Sequence, residues 1–101
     1  MKIKSVQGLD DVMEGNLGGY AFPGGYPIFF VTSDGGVLSY AAVQDNRGEI
    51  DEAIRDRDNS GWRVVGADVN YEDAFLFCDH TGERIESAYA EDEEEDTGDA
   101  A

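Results

Sequence analysis

The only cysteine and the only histidine of the chain lie two residues apart, in the stretch FLFCDHTGERI at residues 75–85. Cys78 and His80 carry side chains that zinc prefers as ligands, and a cysteine is also a nucleophile when a base takes its proton. A structural zinc site needs about four protein ligands, and only unsupported candidates such as Asp68 or Glu72 could complete it. A base two residues from its nucleophile rarely reaches it across a cleft. The sequence therefore predicts no metal, no cofactor and no enzyme, with Cys78 as a small buried apolar residue and His80 as an exposed turn residue.

The position of Cys78 can also be compared with the ligand spacing of a zinc ribbon. A zinc ribbon holds two Cys-x-x-Cys turns so that four thiolates converge on one metal, and this grid falls on Ser39 with Ala42 and on Cys78 with Thr81. The segments DGGVLSYAA and LFCDHTGERIESAY resemble small uncharacterised proteins of phages and plasmids with a zinc-ribbon-like outline, over residues 26–90. The resemblance implies that relatives carry cysteines at positions where this chain has lost them, and it implies no assigned activity. Packing must then hold the fold, and the aromatic residues predicted to replace the metal are Trp62, Phe29, Phe30, Phe75 and Phe77.

The charge balance narrows the class of partner. The 101 residues carry 23 carboxylates against 7 cations, a net charge of −16, and seven of the carboxylates follow residue 90. The remaining residues are still strongly acidic, so they repel nucleic acid and anionic membrane surfaces and attract proteins with basic faces. One cysteine cannot form an internal disulfide, and no apolar segment suits a signal peptide or a membrane span. We therefore expect a cytoplasmic protein that binds neither nucleic acid nor membrane.

Apolar periodicity predicts the elements that would position these residues. Alternation predicts strands at residues 2–6, 26–32, 37–40, 62–71 and 74–78, with 83–89 either pairing back or turning helical. Residues 41–61 have a helical period, with Asn46 and Glu49 as a capping box, or with a start near Ala41, and with Gly61 just after the helix. The predicted fold class is α+β: a small antiparallel β-sheet of 4–5 strands packed against one α-helix, as a single domain over residues 1–90. Residues 91–101 are predicted to form a disordered acidic C-terminal tail.

The clearest functional signal lies on the predicted helix. Asp45, Glu49, Glu52 and Asp56 lie at offsets 0, 4, 7 and 11, which places them within about 60° of one another on a solvent-facing stripe. Like charges at these spacings weaken a helix slightly, so the stripe does not serve local stability. A row of carboxylates is similar in kind to a strand of DNA phosphates, although it is sparser. The residues predicted to complete the partner-binding surface are Asp51, Asp58, Asp68, Glu72, Asp73, Glu93, Glu94 and Glu95.

In size and charge the chain is similar to the DNA-mimic proteins of phages and plasmids that act as anti-CRISPR and anti-restriction inhibitors. This resemblance implies a nucleic-acid-mimic inhibitor that occupies the basic DNA- or RNA-binding surface of a host nuclease or defence complex. An alternative stays open, in which the chain is a non-enzymatic accessory protein of a mobile element or of an organism with an acidic proteome. In that case its charge serves solubility.

Overall fold

The fold is α+β, with three helices and a four-stranded antiparallel sheet in the part of the chain that the structure describes. This structure is a computed structural model, and it describes residues 1–16, 19–21, 26–58, 61–73 and 75–87. The predicted acidic tail at 91–101 lies outside these residues. Among the described helices, none is both long enough and apolar enough to cross a membrane. The elements in chain order are α1 (Val6–Gly15), β1 (Tyr20–Ala21), β2 (Tyr26–Thr32), β3 (Val37–Leu38), α2 (Tyr40–Asp45), α3 (Arg47–Asp56) and β4 (Val64–Val69).

Strand β2 is the centre of the sheet. Its sequence YPIFFVT is rich in aromatic and β-branched residues, which suit a pleated strand that is largely covered. Strand β4 pairs with β2 from Ile28 opposite Val69 to Thr32 opposite Val64, and β1 and β3 pair with the two ends of β2. All of these pairings are antiparallel, as the alternation in the sequence predicts.

A β-bulge interrupts the pairing of β4 with β2. Val31 lies opposite Gly66 and Thr32 lies opposite Val64, so Val65 is an extra residue on β4. An extra residue bends its strand and changes which side chains face the core. Val64 is accordingly buried, whereas Val65 is half-buried and reaches a pocket at the surface.

The chain is helical near its start, where the sequence predicted only a short strand. Helix α1 begins after Ser5, whose hydroxyl accepts a hydrogen bond from the backbone N–H of Gly8. This is the usual way for a serine to satisfy a free N–H at a helix start. The predicted strand at 2–6 is reduced to one bridge, between Lys2 and Gly66 at the edge of β4.

The predicted helix over 41–61 is two helices, so the prediction of one continuous helix is wrong. They are separated at Asn46, whose backbone N–H and side-chain amide both donate to the carbonyl of Ala42 and so end α2. The side chain of Asn46 makes no capping bond to α3, and the predicted capping box is wrong. Helix α3 ends with Arg57 in the left-handed region, at φ 54°, rather than at Gly61.

The C-terminal part of the described chain has less regular structure than predicted. Within residues 75–78 and 83–87, which the structure describes, the predicted strand at 74–78 and the predicted pairing of 83–89 appear as one isolated bridge between Phe77 and Arg84. A short turn joins the two sides, with the N–H of Cys78 donating to the carbonyl of Glu83 at 2.9 Å. The hairpin outline is therefore present without the regular strands.

The core contains buried side chains from all three helices, from β2, β3 and β4, and from the C-terminal segment. Phe30 is fully buried, and Phe29 and Trp62 are half-buried and pack against the core. Phe75 and Phe77 are 83% and 48% exposed, so the prediction that they replace a metal by packing in the core is wrong.

Asn70 ties the end of β4 to the C-terminal segment. It is 3% exposed, and its side-chain amide donates to the backbone carbonyls of Asp73, Ile85 and Glu86. We predict that Asn70→Ala lowers the free energy of unfolding by about 2–3 kcal/mol, because these carbonyls lose a buried donor. Urea denaturation followed by circular dichroism measures the change. The control is Glu72→Ala at an exposed position, and an equal, small effect of both variants would contradict the prediction.

Candidate functional site: an acidic surface

The carboxylates of the predicted stripe are exposed on two helices. Glu49, Glu52 and Asp56 lie on α3, within about 60° of one another by the period of an α-helix. They form a row about 10 Å long at the usual rise per residue. Asp45 is also exposed but belongs to α2, so the break at Asn46 removes it from the regular stripe.

Asp51 differs from the exposed carboxylates because it is half-buried and paired. One oxygen of Asp51 lies 3.1 Å from Nε of Arg47, and the same guanidinium also pairs with Asp10 of α1. Burial lowers the pKa of Arg47, but its hydrogen bonds to Asp10 and Asp51 raise it, and the net direction is upward. This pair of contacts joins α1 to α3, so Asp51 has a structural partner within the chain.

The remaining predicted residues that the structure describes lie after α3 and along β4. Asp58 follows α3 and is exposed, and Asp68 is exposed on β4. Glu72 and Asp73 are exposed in the segment after β4, where the carboxylate of Asp73 accepts the N–H of Phe75 at 2.9 Å. Glu93, Glu94 and Glu95 lie outside the described residues. The structure thus places the predicted carboxylates in two sets, one on α2 and α3 and one around the C-terminal end of β4.

The cations are distributed unevenly. Four of the seven, Lys2, Lys4, Arg57 and Arg63, line one pocket beside the edge of β4, and Arg47 is engaged by Asp10 and Asp51. In the described part of the chain, the exposed carboxylates on α2 and α3 form no ion pair; they are Asp45, Glu49, Glu52 and Asp56.

Cys78 lies where two turns meet. The hydroxyl of Ser39 accepts the backbone N–H of Ala42 at 3.1 Å, and the carbonyl of Cys78 accepts the backbone N–H of Gly82 at 2.8 Å, so each segment turns at this point. The N–H of Asp79 donates to the carbonyl of Val37 at 2.8 Å, and the carboxylate of Asp79 accepts the N–H of Val37 at 2.9 Å, which joins the two turns. The two turns contain the four positions that the ribbon resemblance picks out.

The thiol of Cys78 has an unusual environment for a buried side chain. Cys78 is 1% exposed, and burial raises its pKa. Hydrogen bonds from the Thr81 hydroxyl and from the backbone of Thr81, Ser39 and His80 act against burial, and the net pKa lies below the ordinary thiol value. Of the four positions that the ribbon resemblance picks out, only position 78 carries a thiol.

The described residues do not offer a metal site. Within the ranges that the structure covers, no three His, Cys, Asp or Glu side chains are grouped so that they could hold an ion. His80 is exposed, as predicted, and its ring packs edge-on against Trp62, with ring centres 4.9 Å apart. The side chains of Ser39, Ala42 and Thr81 cannot bind zinc as thiolates do, so the residues present do not fit the metal of a ribbon.

Sequence reasoning missed three exposed aromatic residues in and after the second acidic set. Tyr71, Phe75 and Phe77 are 49%, 83% and 48% exposed, and Glu72 and Asp73 lie between the first two in the chain. The exposure of Phe75 and Phe77 could have been predicted from the segment FLFC. Alternate residues of an extended segment lie on opposite faces, and only one face can be buried. The buried face is the one that carries Leu76 and Cys78, and the larger Phe side chains are on the other.

The described residues therefore present two kinds of surface for a partner, carboxylates on α2 and α3 and aromatic rings with carboxylates after β4. Both suit contact with a protein that has a basic surface. No protein-family model, no curated protein and no solved structure matches the chain.

Proposed function

We propose that the chain is an acidic inhibitor that mimics nucleic acid and occupies the basic DNA- or RNA-binding surface of a nuclease or defence complex, of the anti-CRISPR or anti-restriction type. The observation that carries the proposal is the set of exposed carboxylates on α2 and α3. The carboxylates of α2 and α3 are exposed without ion pairs among the described residues, while four of the seven cations gather at one pocket. Arg and Lys side chains that grip phosphates also form strong charge-assisted hydrogen bonds with carboxylates.

Exposed charge alone gives fast but unselective binding. Ion pairs at a solvated interface each contribute about 0–1 kcal/mol, and they act mainly on the rate of association. Large aromatic side chains supply most of the energy in many protein interfaces. We therefore assign selectivity to Tyr71, Phe75 and Phe77, which are exposed next to Glu72 and Asp73. In this proposal the α3 carboxylates steer the partner, and the rings hold it.

Competition with DNA tests the proposal directly. The chain is titrated into complexes of labelled DNA with a panel of purified restriction nucleases and guide-RNA effector complexes, and the displaced DNA is measured by fluorescence anisotropy. We expect displacement from at least one complex, with a potency that falls steeply between about 50 and about 500 mM salt. Poly-glutamate at equal total charge is the control for unselective anion competition. Failure to displace DNA from every complex at low salt, or no advantage over poly-glutamate, would count against the proposal.

The alternative, that the charge serves solubility, makes a different prediction for the isolated chain. A surface adapted to high salt repels itself at low ionic strength, so molar salt should raise the melting temperature strongly. Under the inhibitor proposal we expect a modest change, because the ion pairs and repulsions on the surface are partly screened in either condition. Thermal melts at about 0.05 M and about 2 M potassium chloride separate the two.

A further inference from the structure

The pocket that collects the cations is built from distant parts of the chain. It has a volume of about 430 Å³ and is lined by Lys2, Ile3, Lys4, Arg57, Arg63 and Val65. Four of its six lining residues are cations and none is acidic, although acids outnumber cations by 23 to 7 in the chain. Four cations that line one pocket repel one another, and an anion bound among them would offset that repulsion.

Backbone hydrogen bonds hold the N-terminal side of the pocket against β4. The N–H of Ile3 donates to the carbonyl of Val65 at 2.9 Å, and Lys2 forms a bridge with Gly66. Along an extended segment alternate side chains lie on one side, and Lys2 and Lys4 are both exposed while Ile3 is buried between them. Two ammonium groups are therefore placed on one side of a fixed backbone.

The end of α3 supplies the other side of the pocket. Arg57 takes the left-handed conformation, at φ 54° and ψ 38°, and its N–H donates to the carbonyls of Ala53 and Ile54. The guanidinium of Arg63 donates to the carbonyl of Arg57 at 3.2 Å, which braces the two arginines against each other. A cation at a helix C-terminus is favourable in itself. That effect accounts for Arg57 and Arg63, but not for the two lysines that join them from the start of the chain.

We propose that this pocket binds a small organic phosphate, such as a nucleoside diphosphate, through Lys2, Lys4, Arg57 and Arg63. Guanidinium and ammonium groups are the side chains that recognise phosphate oxygens, and several together are needed for a di- or trianion. The volume is in the range of small-molecule sites, and the half-buried Val65 offers an apolar contact to the organic part. A long nucleic acid does not fit this role, because the strongly acidic remainder of the chain repels a polyanion that extends beyond the pocket. The proposal is independent of inhibition by mimicry.

Titration with defined anions tests the site on the full chain. The probes are ADP, pyrophosphate and inorganic phosphate, with the peptide EDEEEDTGDAA as a carboxylate-only anion, and binding is followed by calorimetry and by amide chemical shifts. We expect saturable binding of ADP and pyrophosphate near physiological salt, with shifts centred on residues 2–4, 57 and 63–65. The Lys2→Gln/Lys4→Gln variant should bind at least about tenfold more weakly.

Two control variants make the result specific to the pocket. Lys2→Arg/Lys4→Arg keeps the charge and should keep the affinity within about threefold, and Arg55→Gln removes an exposed cation of α3 that does not line the pocket and should leave binding unchanged. The proposal is overturned if no phosphate probe binds saturably, or if the peptide binds and the phosphates do not. It is also overturned if Lys2→Gln/Lys4→Gln binds ADP as tightly as the parent chain.

Discussion

The variant Glu49→Lys/Glu52→Lys/Asp56→Lys is expected to lose at least about 100-fold in its ability to displace DNA from a susceptible complex. All three carboxylates are exposed on one side of α3 and make no ion pair among the described residues. Reversal replaces attraction to the partner's cations with repulsion, and like charges brought together at an interface cost several kcal/mol. The competition assay with labelled DNA measures the effect, mainly as a slower association rate at low salt.

A matched control distinguishes the effect of the carboxylates on α3 from the effect of the total charge. Asp11→Lys/Glu14→Lys/Glu83→Lys changes the total charge by the same amount at three exposed positions outside α3. If the row contacts the partner, this control should weaken displacement by no more than about tenfold, through the general field of the chain. Equal losses in both variants would mean that net charge alone acts, and an unchanged α3 variant would remove α3 from the interface. Far-ultraviolet circular dichroism verifies that each variant remains folded.

The helical parts show where local pattern is sufficient and where it fails. Helix α1 could have been predicted, because Ser5 is a good helix start and Val6, Leu9 and Met13 follow at the spacing of one helix face. The break at Asn46 could not have been predicted from the sequence. The side-chain amide of Asn46 donates to the carbonyl of Ala42 in the preceding helix and does not cap the next one. Which of these two hydrogen bonds Asn46 forms depends on how α2 and α3 pack, because either one satisfies a backbone group nearby.

The site itself was predictable only in part. Exposure of Glu49, Glu52 and Asp56 follows from their position opposite the apolar residues of α3, which a helical period alone reveals. The basic pocket does not follow from the sequence, because residues 2–4 meet Arg57, Arg63 and Val65 only through the pairing of the N-terminal segment with β4. Lysines near the start of an acidic chain otherwise read as solubilising charge. Local sequence patterns do not reveal which segments far apart in the chain will pair.

The hairpin around Cys78 is held by hydrogen bonds of the backbone and of neighbouring side chains. Residues 79–82 turn back so that the N–H of Gly82 bonds to the carbonyl of Cys78 at 2.8 Å, and Gly82 has φ 75°, in the left-handed region. The carboxylate of Asp79 also accepts the N–H of Val37 at 2.9 Å, which fixes this turn against the one that leads to Ser39. These bonds come from backbone and neighbouring side chains, so they do not require a metal.

Thiols introduced at the other three positions are expected to create a zinc site. We expect Ser39→Cys/Ala42→Cys/Thr81→Cys to retain about one Zn²⁺ per chain after dialysis, because together with Cys78 it supplies the four thiolates of a structural site. Binding to the folded state alone stabilises it, by about 4 kcal/mol when free zinc is a thousandfold above the dissociation constant. Elemental analysis measures the zinc content, and melts with zinc or with a chelator measure the stabilisation.

The single variant Thr81→Cys is the control for this prediction. It gives a Cys-x-x-Cys turn with two thiols, which is half of a structural site, and it should lose zinc on dialysis. Zinc retention requires that the two turns lie side by side, and the hydrogen bonds between Val37 and Asp79 hold them there. If the triple variant retains no more zinc than Thr81→Cys, the turns do not converge on one point, and the ribbon resemblance is limited to the sequence. If it retains zinc and melts higher, the present chain keeps by packing and hydrogen bonds a hairpin arrangement that four thiolates can still occupy.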